Sequence, residues 1–373
     1  MVSEVFSSLA LLRSQLSANG PKNIFVTFVQ RRFSKNEFRN HLGVSKNERR
    51  RNMYLVFDVG ATYVKYAWMT AEGEIEEKGK IPTKNKPEDG VQDFVESLAG
   101  IYDWYKEKGI VEGIAMGLPG QIDVDNGIVY GGGGIRYMHN VELQRLMSQR
   151  CDNVRVSLEN DGKCAALAEV WLGNAKDVND ACVLVFGTGI GGAIIKDRKI
   201  HRGKRMLAGE VSFIIDEMTR EDLTRLGNIE ELSMYEAIEK VPFYWAAHGA
   251  TGAVCYWLSR KKQLPLEEVT GEKIYQWIRE GDREAAEIME DMYFSIAKQC
   301  CNFFVSFDPE VILIGGGISA EPAFVEGIKR YVEQLKKLSI IYDEIKIDVC
   351  KYRNDSNLLG ALYNFKQKYG MQL

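Results

Sequence analysis

Three short segments hold the residues best suited to chemistry. Asp58-Val59-Gly60-Ala61-Thr62 joins two apolar runs, Glu159-Asn160-Asp161 precedes a stretch rich in alanine, and Gly187-Thr188-Gly189-Ile190-Gly191-Gly192 again joins two apolar runs. A turn built on Gly60 and Ala61 lets main-chain N–H groups approach an anion with no side chain in the way. Thr62 adds a hydroxyl, Lys65 a positive charge, and Asp58 an oxygen suited to Mg2+ or its waters. The outer two segments therefore read as phosphate-holding hairpins, and the middle one offers a carboxylate to a hydroxyl.

The run from Gly187 to Gly192 satisfies G-x-G-x-x-G, but that dinucleotide motif must open a helix. Here Ala193-Ile194-Ile195-Lys196 is β-branched and leads into another short strand. A protein-kinase reading fails as well, because neither H-R-D nor D-F-G follows. What remains is a glycine hairpin in which Gly187, Thr188, Gly189 and Gly191 hold phosphates, against the plainer alternative of a structural turn.

Asn and Asp are common helix N-caps, so Asn160 and Asp161 each have a structural explanation. The tripeptide nevertheless carries more donors and acceptors than a cap needs. Asp161 beside a helix N-terminus is expected to stay ionised, because the helix dipole favours the anion. An ionised carboxylate within hydrogen-bond reach can take the proton of a hydroxyl attacking phosphorus, and Asn160 would orient neighbouring hydroxyls. Leu118-Pro119-Gly120 ends a strand where substrate could lie, and Gly131–Gly134 permits close approach of a polar ligand. Glu210 could accept from sugar hydroxyls or simply sit at the surface. Gly315-Gly316-Gly317 ends another strand as a turn facing adenine and ribose would. Asn354-Asp355-Ser356 reads as a helix cap without chemistry.

Positioning these segments takes two similar units. Runs at Tyr54–Phe57, Val64–Trp68 and Ile75–Ile81 form a meander, followed by helical spacing over Phe94–Lys106 and a buried strand at Val111–Met116. The order recurs at Cys182–Phe186, Gly191–Lys196 and Lys199–His201, with a helix near Asp282–Phe304 and a strand at Val311–Ile314. At 373 residues, two lobes are expected around a cleft. Seven scattered cysteines and four histidines suggest neither a disulfide framework nor a metal cluster, and a reduced, cytoplasmic setting. No apolar run is long enough to cross a bilayer.

The net charge of −4 hides an asymmetry: residues 1–52 hold ten Lys/Arg against three Asp/Glu, net +7, leaving −11 for the rest. Met53 opens the first strand as an initiator would, so this basic extension reads as a segment upstream of the domain, disordered or arising from start-site choice. The alternative is a DNA-reading arm, with Phe33–Glu48 as helix, turn at Gly43, helix.

From Met53 onward the chain resembles the ROK family (repressors, open reading frames and sugar kinases). D-V-G-A-T-x-V-K, G-L-P-G, E-N-D with A-A-L-A-E, G-T-G-I-G-G and R-G…A-G-E occur in family order. The resemblance implies an α/β, actin-like ATPase (ribonuclease H-like) fold, ATP and Mg2+, Asp161 as catalytic base, and sugar contacts from Gly120, Asn160, Asp161 and Glu210. It also implies a homodimer, with 53–168 plus 359–373 as the small lobe and 169–358 as the large, dimerising one. Two features depart from the usual pattern. Ser212 and Phe213 stand where a histidine normally follows the sugar-binding glutamate, and Ile214 to Tyr235 lacks the cysteines and histidines of a zinc site. The chain thus looks most like the zinc-less members, which include β-glucoside kinases. The expected activity is phosphorylation of a sugar hydroxyl, most simply the 6-OH of a hexose or β-glucoside. The competing class is a sugar-responsive regulator acting on DNA through residues 1–52.

Overall fold

The computed structural model of the chain describes residues 52–225, 238–352 and 355–371. The helix–turn–helix expectation for 33–48 lies outside them, as does nearly all of the basic extension.

Strand β1 (Met53–Val59) is buried along its whole length, because it pairs on both edges and is covered on both faces. It pairs antiparallel with β2 (Tyr63–Thr70), which pairs with β3 (Ile75–Pro82), and parallel with β4 (Val111–Leu118). A small β5–β6 hairpin (Gln121–Asp123 and Ile128–Gly131) precedes β7 (Val156–Asn160), giving the sheet order β3-β2-β1-β4-β7. The second sheet repeats that plan with β8 (Ala181–Phe186), β9 (Ile190–Lys196), β10 (Lys199–Ile200), β11 (Val311–Gly315) and β12 (Ile347–Val349), in the order β10-β9-β8-β11-β12. Both meanders appear where the short apolar runs and turn glycines predict them. The repeated plan is that of the actin-like ATPase fold.

Helices α1 (Val91–Lys108) and α2 (Leu143–Arg150) cover one face of the first sheet. Helix α3 (Asp161–Leu172) lies between the two sheets. Its Cys164 and Ala168 pack with Tyr54, Val56 and Ala115 of the first sheet, while Ala166, Leu167 and Val170 pack with Val183, Ala193 and Leu313 of the second. Small residues suit this helix because sheet backbones approach it from two sides. A division between residues 168 and 169 thus passes through an element that serves both sheets.

Helices α4 (Thr251–Lys262), α5 (Gly271–Arg279), α6 (Arg283–Phe307) and α7 (Pro322–Leu335) build the core behind the second sheet. Asp282 caps α6, accepting the Ala285 N–H at 3.0 Å. The last helix, α8 (Ser356–Lys368), returns to the first sheet through Leu358, Leu362 and Phe365. All seven cysteines are unpaired and buried. Among the described residues, no helix is long and apolar enough to cross a membrane.

Candidate active site

The Glu159-Asn160-Asp161 segment sits where β7 gives way to α3. Asn160 is the N-cap: its Oδ1 accepts the Lys163 N–H at 3.1 Å. Its Nδ2 donates to the Gly120 carbonyl at 2.9 Å, tying the helix start to the turn after β4. One amide thereby joins two of the segments that the sequence singled out. Asn160 is 7% exposed, so its structural work is extensive.

Asp161 begins the helix, and its Oδ1 accepts the Gly162 N–H at 2.8 Å. Its carboxyl is pushed up from an ordinary 3.8 to about 6, chiefly by burial, with Asp58 and Glu210 adding repulsion against the stabilising Gly162 N–H. The group thus stays ionised at neutral pH as expected, though with a raised rather than an ordinary basicity. Desolvation outweighs the helix start here. At neutral pH the carboxylate is still mostly ionised, and more basic than a surface aspartate.

Two charged residues to which the sequence reading gave no role hold this region. Lys163 is 2% exposed, and its Nζ donates to Glu210 Oε1 at 2.8 Å and to the Met206 carbonyl at 3.4 Å. Glu210 is therefore neither free nor merely superficial. Its carboxylate is anchored from below, and its side chain keeps 30% exposure. The second is Arg202, just beyond β10, whose guanidinium pairs with the buried Glu159 carboxylate. Glu159 also accepts the Asn160 N–H at 2.9 Å. This ion pair connects the end of a first-sheet strand to the second sheet. Neither partner is visible in local spacing, since each lies more than forty positions away in sequence.

The first hairpin is braced from behind. Thr83 Oγ1 donates to the Gly60 carbonyl at 2.6 Å, and Asn85 Nδ2 bonds the carbonyls of Ala61 at 3.3 Å and Gly134 at 2.8 Å. The Gly60 N–H itself donates to Tyr63 O at 3.0 Å, so this amide closes the turn rather than facing outward. Thr62 accepts the Thr83 N–H at 2.9 Å through its carbonyl. Asp58, at the end of β1, accepts from Lys65 Nζ at 3.1 Å and from Asn357 Nδ2 at 3.0 Å. Asn357 belongs to the first turn of α8, beside the cap to which the sequence assigned no chemistry.

In the second hairpin the Gly187 N–H donates to Gly189 O at 3.0 Å, while the Gly187 carbonyl accepts the Gly252 N–H at 2.9 Å. Gly252, at the start of α4, must be glycine, because a Cβ there would lie 2.5 Å from Thr188 O. Gly316 has φ of +95°, and its Cβ would lie 2.1 Å from Phe186 O. The turn Gly315-Gly316-Gly317 is thus pressed against the root of the second hairpin. Gly187 and Gly317 both face open space. Beside them is a cavity of about 480 Å³ lined by Thr188, Thr251, Gly252, Leu266 and Thr270 among others. Thr251 Oγ1 is buried there without a hydrogen-bond partner among the described residues. The sequence reading missed Thr251, Gly252 and Thr270, whose only local signal is a pair of Thr-Gly helix starts.

The start of α3 meets the second hairpin directly: a Cβ on Gly162 would lie 3.4 Å from Gly191 Cα. Gln121 Nε2 reaches the Arg205 carbonyl at 2.6 Å, linking the small hairpin to the Glu210 loop. Asp58, Asp161, Glu210 and the second hairpin accordingly surround one region.

Known proteins resemble the chain over most of its length. The β-glucoside kinase of Listeria monocytogenes serovar 1/2a (strain ATCC BAA-679 / EGD-e) is 32% identical over 312 residues, spanning 84% of this chain and 97% of the relative. The β-glucoside kinase of Klebsiella pneumoniae is 30% identical over 314 residues, spanning 84% and 96%. A ROK family protein from Streptococcus pneumoniae TIGR4, solved in complex with sucrose, superimposes with a TM-score of 0.70 at 30% identity, covering 85% of this chain and 99% of that one. A ROK family glucokinase from Streptomyces griseus, solved with glucose and AMPPNP, shares the fold at a TM-score of 0.68 and 20% identity, over 83% and 98%. The sequence model of the ROK family matches residues 54–368, and the chain belongs to that family.

Proposed function

We propose that this protein is a sugar kinase that transfers the γ-phosphoryl group of ATP to a hydroxyl of a hexose or β-glucoside, most simply the 6-OH. The observation that carries the reading is Asp161, a partly buried carboxyl of raised basicity that adjoins Gly162 on Gly191 and feels the charges of Asp58 and Glu210. In this reading Asp161 takes the proton as the sugar oxygen attacks phosphorus, and Glu210, Asn160 and the Gly120 turn orient the sugar. The hairpins of Gly60, Ala61, Thr62 and Gly187, Thr188, Gly189, Gly191 hold the triphosphate, with Lys65 supplying charge. The Gly315–Gly317 turn and the Thr251 cavity take the nucleoside.

A Mg2+ ion brought in with the nucleotide suits Asp58, whose two oxygens each accept one hydrogen bond and retain lone pairs for the metal or its waters. The ion would neutralise developing phosphate charge. The transition state needs little covalent help, so alignment and charge neutralisation do most of the work. The relatives named as β-glucoside kinases favour a glucoside acceptor, and the reading includes a homodimer with lobes 53–168 plus 359–373 and 169–358, as the family resemblance implies.

An ADP-release assay over glucose, N-acetylmannosamine, cellobiose and an aryl β-glucoside tests the reading. Turnover of at least one sugar is expected, and sugar binding without turnover would favour a regulator acting through the basic residues 1–52.

A further inference from the structure

Three backbone segments meet with almost no side chain between them. A Cβ on Gly192 would lie 2.5 Å from Gly209 O and 2.8 Å from a Val211 methyl. One on Gly209, whose φ is +87°, would lie 2.8 Å from Gly192 O. Gly162, next to Asp161, lies against Gly191 on the other side. The second hairpin is thus clamped between the start of the catalytic helix and the loop that carries Glu210. Rigid main chain in close contact transmits small shifts, because it has no soft side chain in which to absorb them.

One side chain stitches this junction. Ser212 Oγ accepts the Ile190 N–H at 2.9 Å and donates to the Ile190 carbonyl at 2.9 Å. A hydroxyl can do both at once, so Ser212 takes the place of a neighbouring strand for Ile190, the residue at the base of the glycine turn. It also stands 3.3 Å from where a Cβ on Gly189 would be. Two residues earlier, Glu210 is fixed by Lys163 and its N–H donates to Leu207 O at 3.1 Å. The tight turn Val211–Phe213 leaves little slack between the two attachments.

We propose that Ser212 is a positioning residue that couples the acceptor to the nucleotide. A sugar held at Glu210 steadies the 209–213 segment, and Ser212 passes that order to the Gly187–Gly191 hairpin, whose grip on the phosphates tightens. Coupling is reciprocal, so nucleotide would also strengthen sugar binding. The inference rests on the kinase reading only in taking Glu210 as a sugar contact and the second hairpin as a phosphate contact.

The test measures AMPPNP affinity by calorimetry with and without an aryl β-glucoside, and separately with and without glucose, beside steady-state kinetics. Wild type should bind AMPPNP more tightly with at least one of these sugars. Ser212→Ala should abolish most of that gain and raise KM for ATP about tenfold, the worth of one or two lost hydrogen bonds. KM for sugar at saturating ATP should move far less, and Ser212→Thr, which keeps the hydroxyl, should restore the coupling. Wild type without coupling, or Ser212→Ala retaining it, would overturn the proposal. So would a fall in melting temperature with both KM values rising together, the pattern of a purely structural staple. If wild type binds sugar but phosphorylates none, the kinase reading fails while the calorimetric coupling still decides the role of Ser212.

Discussion

Replacing Asp161 by asparagine should make the protein more stable and almost inactive. The carboxyl sits at about 6 in the folded chain against 3.8 when unperturbed, so the native state holds its proton more tightly than the unfolded state does. Between those values stability falls as pH rises, and above pH 6 the full penalty of the charged form is present. At 1.36 kcal/mol per pH unit the penalty comes to about 3 kcal/mol, a ceiling because Asp161 keeps some contact with solvent. Asparagine keeps an oxygen for the Gly162 N–H and removes both the buried charge and its repulsion by Asp58 and Glu210.

Melting temperatures of wild type and Asp161→Asn at pH 8 and pH 5 read this directly. An advantage of roughly 5 °C is expected for the variant at pH 8, and roughly half of the free-energy difference at pH 5, where the native aspartate is mostly protonated. The ADP-release assay should show a loss of about 10²–10⁴ in kcat, the usual contribution of a positioned base. Wild-type kcat/KM should fall below about pH 6 as one group takes up a proton. A variant that is no more stable at pH 8, or equally favoured at both pH values, would refute the argument that charging Asp161 is disfavoured. Near-normal turnover would remove it from the chemistry.

Lys163→Met should leave Glu210 without its anchor and raise the sugar KM about ten- to hundredfold, the worth of a charged hydrogen bond, with a smaller change in kcat. Arg202→Ala strands the Glu159 carboxylate, 1% exposed, and should destabilise the fold by about 3 kcal/mol in a urea melt, at the low end for a broken buried pair since Arg202 is partly exposed. The double change Glu159→Gln with Arg202→Met should recover part of that loss. Gly187→Ala meets open space and should raise KM for ATP with little effect on melting, whereas Gly192→Ala must displace the Gly209 carbonyl and should lower both kcat and melting temperature.

These variants divide along what the sequence makes legible. The meanders were readable because short apolar runs and turn glycines are local. Gly60 and Gly316 stand out because a backbone passes close to each. The carboxylates of Asp58, Asp161 and Glu210 likewise announce themselves by their settings after strands and glycines. Their partners do not. Lys163 reads as one more polar helix residue, Arg202 as part of a basic loop, and Asn357 as a neighbour of a cap, yet each meets a site carboxylate or its adjoining Glu159. The raised basicity of Asp161 is hidden for the same reason: the helix dipole is a local property, but burial is set by two sheets closing on α3. A carboxylate withdrawn from water requires compensation from somewhere, and here most of it comes from residues remote in sequence. Asp58 and Glu210 acquire donors from Lys65, Asn357 and Lys163, while Asp161 receives only a main-chain N–H among its described hydrogen bonds. Burial raises the basicity of Asp161, and a carboxylate so sparsely compensated is what the proposed proton acceptor requires.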